Sequence, residues 1–379
     1  MRASIRRKYY SHKTSKSAAT PVWFIVFLAI FIISCEETSL ENLPSTYKGP
    51  YTDFSPVTYD IDAAPDGSIL VTENNMVKEI RDGEVSNLIE IPTIPGSPVN
   101  GVETVGRQSY FITSGGLDLA AGAGVWHVTG QNAQLIGDIE AFETQNDPDA
   151  FEGPQWKDPA CEEDPNQGFS AGPQSNPYHL KSISGSKVLV ADAAGNSLLS
   201  VEKNGNIDWV AVFTPPVDEN GDRRILFSLP GGTDCYVQPV PTSVDIGPDG
   251  AVYVGELTGA PAVPGWSRIW RIASGASNVT CPSADCSLAF DGLTSVIELE
   301  FGPDGLLYVV EYDANGWLAA TTGNAAGGTI KTCDIDTGDC KTLFTDLPFP
   351  TAITFDKWKD LYLLESNISA PSVRKLDLP

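Results

Sequence analysis

The chain has 379 residues, room for two ordinary domains or one large all-β domain, and a formal net charge of −25 at pH 7. Its acidity is diluted among 41% hydrophobic residues and 35 glycines, which excludes a disordered acidic tail. With 24 Lys and Arg against 49 Asp and Glu, no broad basic face can form, so nucleic acid is excluded as a partner, while the carboxylate surplus suits a hard cation such as Ca2+.

The first elements lie at the N-terminus. Arg6–Lys16 (RRKYYSHKTSK) is basic and contains no acid, and residues 21–34 (PVWFIVFLAIFIIS) are 14 mostly apolar residues ending before Cys35. A membrane span needs about 20 residues, so this length fits the apolar core of a secretory signal instead. The junction IISC matches the lipobox of bacterial lipoproteins, in which the cysteine is lipidated and becomes the mature N-terminus. Residues 1–34 are therefore expected to be a signal peptide, and Cys35 a lipid anchor holding the protein to a bacterial membrane on its extracytoplasmic side. Whether that is the periplasmic face or the cell surface stays open. Removing residues 1–34 takes away six positive charges and no negative ones, leaving a charge near −25 − 6 = −31. Residues 35–46 read as a polar tether to a domain spanning 47–379.

That domain is built on a repeat. Ile61–Glu73 (IDAAPDGSILVTE) is a short alternating strand, a tight turn and a second apolar strand ending in a polar residue. The plan recurs at Val102–Ser114, Ser182–Asp192, Val244–Glu256, Leu299–Glu311 and Ile353–Glu365. In Pro248-Asp249-Gly250, proline presets φ at the second turn position, aspartate suits the third and glycine closes the fourth. Two more strand-like runs follow each copy, as in Ser197–Phe213, where Asn204-Gly205 marks a hairpin. Helical periodicity is confined to Gly137–Gln145 (GDIEAFETQ). Repeats of roughly 40–50 residues with four short strands each are the signature of propeller blades. The expected fold is all-β: a six-bladed β-propeller of the NHL, TolB and lactonase architecture, four antiparallel strands per blade, with an insertion at about 150–174. The last copy is followed only by a third strand, so the segment from about Tyr47 to Phe54 is expected to close the ring as the outer strand of the final blade.

Cys35 set aside, six cysteines remain, an even number in a chain that reads as exported. Cys333 and Cys340 flank a turn between two alternating runs, Cys281 and Cys286 bracket a short loop, and Cys161 and Cys235 are left as the third pair. Zinc is the rival reading, but there is no CxxC pair and the mature chain has two histidines, His127 and His179.

The runs NDPDAF, SNPYHL, ADAAGNSLLSVEKNGNIDWVAVF, QPVPTSVDIGPDGAVYVGELTG and FGPDGLLYVVE resemble the D/E-type proteins of scytonemin biosynthesis clusters, over roughly residues 50–379. The resemblance implies a six-bladed exported propeller and a supporting role in processing an exported metabolite; it carries no agreed catalytic residues. Gly153–Gly172 and the surroundings of Cys235 depart from the family pattern.

Glu73, Asp192, Glu256, Glu311 and Glu365 end second strands, so five blades should place a carboxylate on one rim, and repetition favours a shared turn-capping duty over a binding one. Inner strands start on the same rim, so Asn100, Asn176, His179, Thr242 and Thr351, edged by Trp266 and Trp317, are the candidate ligand-binding residues. If a metal is held at the axis, Asn100, Glu103, Asn176, Asp245 and Glu298 could supply its oxygens. Two functions follow: a non-catalytic binding or accessory module, expected monomeric, for a small molecule, glycan or envelope protein; or a divalent-metal-dependent, lactonase-like hydrolase.

Overall fold

In blade 1 the repeat folds as four antiparallel strands, Ile61–Ala63, Ile69–Glu73, Met76–Arg81 and Glu84–Glu90, laid side by side in chain order. Blade 2 follows the same plan with Val99–Gly106, Ser109–Ser114, Gly124–Thr129 and Asn132–Asp138. Blade 3 uses Pro177–Ser184, Lys187–Asp192, Ser197–Glu202 and Ile207–Phe213; blade 4 uses Pro241–Ile246, Val252–Glu256, Ser267–Ile272 and Cys286–Leu293. Blade 5 comprises Val296–Phe301, Leu307–Glu311, Gly328–Cys333 and Cys340–Leu347, and blade 6 has Ala352–Phe355, Leu361–Glu365 and Ser372–Leu376. Inner strands touch in cyclic order and blade 6 meets blade 1, which makes a closed six-bladed β-propeller. These features belong to a computed structural model that describes residues 51–115, 122–150, 158, 160–161, 173–366 and 369–378. The expected signal segment, Cys35, the tether and most of the insertion at about 150–174 lie outside the described residues.

A blade is apolar on both faces and cannot bury either alone. Six apolar clusters accordingly sit one in each seam between neighbouring blades, for example Phe111, Leu180, Val190 and Leu199 between blades 2 and 3, and Tyr253, Val296, Leu299 and Val309 between blades 4 and 5. The Pro-Asp-Gly turns act as the sequence predicts. Asp249 Oδ1 accepts the Ala251 N–H at 3.1 Å and its Oδ2 accepts the Tyr253 hydroxyl at 3.3 Å; Asp304 repeats both contacts with Leu306 and Tyr308 at 3.1 Å each. Gly250 and Gly305 follow with φ of 77° and 84°, conformations open to glycine.

The third strand of blade 6 is met from the N-terminal side by a single bridge at Tyr51 rather than by the full outer strand expected over about 47–54, of which residues 47–50 lie outside the described residues. Tyr51 pairs antiparallel with Val373, its N–H donating to the Val373 carbonyl at 3.3 Å and its carbonyl receiving the Val373 N–H at 3.0 Å. Tyr51 and Phe54 also pack on the cluster between blades 6 and 1. A variant lacking residues 1–54 should therefore be less stable than one lacking 1–46 by about 2–3 kcal/mol, from roughly 100 Å2 of lost apolar burial, and should associate through its bared edge. Urea unfolding and sedimentation measure both effects; equal stability with no association would remove the closing role.

Three features depart from the simple plan. A fifth strand, Val279–Cys281, leaves blade 4 and pairs in parallel with the outer strand of blade 3. A two-stranded hairpin, Ile225–Ser228 with Asp234–Tyr236, stands apart from the ring. The expected helix over 137–145 forms at Ile139–Asn146, capped by the Asp138 carboxylate, while Gly137 and Asp138 end a strand. All three disulfides join the cysteines paired above. Cys281–Cys286 does more than bracket a loop: it ties the strand added to blade 3 to the outer strand of blade 4.

Candidate functional site

The axis is lined by two tiers of inner-strand side chains. The upper tier, set opposite the next-to-last residue of each blade's second strand, reads Asp60, Gly101, His179, Ser243, Glu298 and Ala352 in blades 1 to 6. Large polar groups occupy alternate blades and small residues the blades between, which lets three long side chains converge. His179 Nε2 lies 3.4 Å from Glu298 Oε2 and 3.9 Å from Asp60 Oδ2, and these ligating atoms fall within 4.8 Å of one another.

Two residues further along each inner strand, the lower tier reads Asp62, Glu103, Lys181, Asp245, Glu300 and Thr354. Lys181 Nζ reaches Asp245 at 3.1 Å and Glu103 at 3.8 Å. Six carboxylates thus share the axial shaft with one lysine.

Part of this polarity stitches the ring together. Asp60 and Asp62 accept the N–H groups of Val102 and Thr104 at 2.8 and 2.6 Å; Glu103 accepts from Ser182 at 3.1 Å. Asp245 accepts from Phe301 at 2.7 Å, Glu300 from Phe355 at 3.4 Å, and Thr354 from Ala63 at 3.2 Å. At the seam between blades 3 and 4 the lower tier offers Lys181, which has no acceptor, and His179 Nδ1 accepts the Val244 N–H at 3.4 Å from one tier above. Every seam is bridged from an axial side chain. Because Nδ1 accepts, the neutral ring carries its proton on Nε2, the nitrogen facing Asp60 and Glu298.

Burial dominates the electrostatics. It lifts Asp60, Glu298 and Glu300 well above the carboxylate range, with neighbouring acids adding to the lift, and raises Asp62; Glu103 goes up to about 8. Burial, reinforced by Lys181, lowers His179 to about 3, so the ring is neutral. Burial opposes the charge of Lys181, but Asp245, Glu103, Glu300 and Asp62 outweigh it and raise the amine well above its usual value. Water nevertheless enters the shaft. Side-chain exposure is 14% at His179 and 28% at Lys181, and Ile183 beyond them is 49% exposed. Solvent reaches the tiers from the hairpin-turn end.

The opposite rim is packed shut at the positions where the sequence places a ligand mouth. Asn100, Asn176, Thr242, Thr351 and Trp317 are all buried. Asn100 Nδ2 donates to Asn176 Oδ1 and to the Pro177 carbonyl, both at 3.1 Å, and Thr242 Oγ1 donates to the Val296 carbonyl at 2.8 Å. Trp317 donates its N–H to Ser295 Oγ and its indole N–H to the Thr258 carbonyl, each at 2.9 Å, drawing the loops of blades 4 and 5 together. Trp266 is half-buried, with the Arg224 guanidinium 4.1 Å from its ring centre.

Nor do the five expected metal donors converge. Asn100 and Asn176 bind each other on the rim, Glu103 and Asp245 face Lys181 in the lower tier, and Glu298 alone belongs to the upper cluster. Two members of the observed cluster are missing from the expected metal set: Asp60, which the sequence reading did not single out, and His179, which it placed among the ligand-binding residues. The rim carboxylates are held locally. Glu73 accepts the Ser55 N–H at 2.6 Å and meets Lys78 at 3.0 Å; Glu256 meets Arg268 at 2.8 Å and accepts the Trp270 indole N–H. Glu311 meets Lys331 at 2.9 Å and accepts from Thr294 at 2.7 Å, Glu365 meets Arg374 at 2.8 Å, and Asp192 caps Asn176 and Gly195.

No family model matches the chain, and no curated protein matches it. Among solved structures, a proposed oxidoreductase (glucose dehydrogenase) from Thermus thermophilus is 12% identical, with 87% of this chain and 99% of that one covered at a TM-score of 0.52. A protein of unknown function from Bacteroides thetaiotaomicron is 11% identical, with 86% and 73% covered and a TM-score of 0.51. A proposed gluconolactonase is 12% identical, with 88% and 96% covered and a TM-score of 0.49. At these identities what the chain shares with its neighbours is the propeller fold.

Proposed function

We propose that the chain is a lipid-anchored, extracytoplasmic propeller that binds a small positively charged ligand in its axial shaft and serves as a binding or accessory module. The observation that carries this reading is the imbalance at the axis, six carboxylates against one lysine. Buried carboxyl groups are costly to ionise unless paired, and seam bridging accounts for single oxygens rather than for so many acidic groups around one axis. Envelope placement is supported by the basic and apolar run ending at Cys35 and by three disulfides, which suit an oxidising compartment.

Protein lacking residues 1–35 should be stabilised at pH 8 by a cation and left unchanged by neutral analogues. Ligand at about 100 times its Kd adds about 2.7 kcal/mol. Binding should also release protons, because a cation restores the ionised form of carboxyl groups that burial keeps protonated. Calorimetry in two buffers of different ionisation enthalpy measures that release. Absence of both stabilisation and proton release across metal ions and organic cations would overturn the reading.

A divalent-metal hydrolase is the second reading, favoured by the closeness of Asp60, His179 and Glu298. The tautomer of His179 counts against it. A metal-bound histidine ordinarily donates from its other nitrogen, whereas this ring accepts there and would have to give up its Val244 contact. Lactone hydrolysis abolished by chelation and by Asp60→Asn would establish the metal reading instead.

A further inference from the structure

The first turn of blade 6 departs from its counterparts. Blades 4 and 5 close this turn on Pro-Asp-Gly, whereas blade 6 has Asp356-Lys357-Trp358-Lys359-Asp360, with Trp358 at the place of Asp304 and Lys359 at that of Gly305. Lys359 keeps the left-handed conformation, φ 69°, without glycine's freedom, which strains the backbone. Asp356 takes over the capping, its Oδ1 accepting the N–H groups of Trp358 and Asp360 at 2.9 Å each. The exchange displays an indole that is 63% exposed, more than any other large hydrophobic side chain among the described residues. Its ring edge rests over Gly67 of the blade 1 turn, where a Cβ would meet it at 2.8 Å. Lys357 Nζ lies 4.3 Å from the ring centre. Leu378, 40% exposed, stands two residues beyond Leu376, which pairs with Leu361 at the foot of the same turn. Asp66 and Asp360 are matched by Arg81 and Lys375, while Lys357 and Lys359 have no carboxylate partner among the described residues.

The path of the chain points to what this patch faces. Ser372–Leu376 runs toward the turn end, and Tyr51 pairs antiparallel with Val373, so the chain reaches Tyr51 from the turn end of blade 6. Tyr51 lies 51 − 35 = 16 residues after Cys35, a reach of at most about 55 Å. We infer that Trp358, flanked by Lys357 and Lys359 and joined by Leu378, is a membrane-contact patch that seats the turn end of blade 6 on the phospholipid surface holding Cys35. The inference rests on the lipid-anchor reading and adds the orientation of the domain. An indole prefers the boundary between acyl chains and headgroups, where its N–H stays hydrated, and lysines beside it reach the phosphate oxygens. One tryptophan and one leucine bury too little apolar area to hold a free protein on a bilayer. With the anchor the encounter becomes intramolecular, and a weak contact suffices. The rest of a chain with 49 Asp and Glu against 24 Lys and Arg is repelled by anionic headgroups, which favours the turn that shows lysines.

The test uses the full chain expressed in a bacterium and reconstituted in vesicles of phosphatidylethanolamine and phosphatidylglycerol, their acyl chains brominated just below the headgroup. Intact mass shows whether Cys35 carries acyl chains. Bromine should quench part of the tryptophan emission, and Trp358→Ser should abolish that quenching while leaving the melting temperature in place. Lys357→Ser/Lys359→Ser keeps every tryptophan and should lower the quenching by about threefold or more. This double variant decides the matter if Trp358→Ser fails to fold. An acylated chain that shows no quenching, or whose quenching survives Trp358→Ser or is untouched by the lysine pair, overturns the inference and leaves the anchor standing. A product without acyl chains on Cys35 removes the anchor reading and the inference with it.

Discussion

Lys181→Met should destabilise the propeller by about 3–5 kcal/mol at pH 8, because removing one partner from a buried ionic cluster leaves the others uncompensated. The loss should shrink markedly at pH 5. Glu103 explains the direction: its folded value is about 8, above the ordinary carboxyl range. A group raised in this way favours the folded state, relative to the unfolded chain, with its full contribution present below the unfolded pKa, about 4.3. That contribution is lost as pH rises through about 8. Within the lower-tier carboxylate ring, Asp62, Glu103 and Glu300, all raised by burial, can take up protons at pH 5 and so tolerate the missing ammonium, whereas Glu103 meets the loss increasingly as an anion once the pH passes about 8. The unaltered protein should itself lose stability between pH 5 and 9 when no cation is supplied, and the variant should lose it more steeply. Urea unfolding at the two pH values measures this, and adding Glu103→Gln to the variant should recover part of the loss. A deficit that is the same at pH 5 and pH 8, or below about 1 kcal/mol at both, would mean that Lys181 does not neutralise the ring.

Most of the architecture is legible before any coordinates, because it follows from short-range chemistry repeated in register. Pro-Asp-Gly needs its turn wherever it occurs, and two strands must flank it. The shortage of a fourth strand after Leu376 points to the N-terminal segment that supplies Tyr51. The axial tiers are legible too, in a different way. Aligning the copies on their turns places Asp60, His179 and Glu298 in one column, and Asp62, Glu103, Lys181, Asp245, Glu300 and Thr354 in another. Reading the repeat for its second-strand ends and for the starts of its inner strands picks out His179, Glu298, Glu103 and Asp245 one by one without seeing the columns, and misses Asp60, Asp62, Lys181 and Glu300.

What local reading does not reach are partners far apart in sequence. Trp317 looks like the rim of a mouth until its indole meets Thr258, 59 residues earlier in the chain. The parallel strand Val279–Cys281 crosses to blade 3 through a pairing that no period in the sequence announces. The alternation of large and small residues in the upper tier likewise acquires meaning only when six strands are brought around one axis.

Arg268→Met should cost about 3–5 kcal/mol, the second large effect, because it strands the Glu256 carboxylate in the interior. Both residues are buried; Arg268 meets Glu256 through Nε at 2.8 Å and Nη2 at 3.2 Å, and extends to the Thr214 and Pro215 carbonyls across the seam with blade 3. Glu256 has its carboxyl raised by burial against the opposing pull of Arg268, so loss of the guanidinium should drive it toward the protonated form. The double variant Glu256→Gln/Arg268→Met should recover much of the deficit, since both buried charges then go together. The coupling between the two changes decides between duties for the rim carboxylates. If they hold third strands in place, as Glu365 does with Arg374 at 2.8 Å, the double-mutant cycle shows strong coupling in stability and ligand binding in the shaft is unchanged. Weak coupling, together with a change in axial binding after Glu256→Gln alone, would instead make this rim part of the recognition surface.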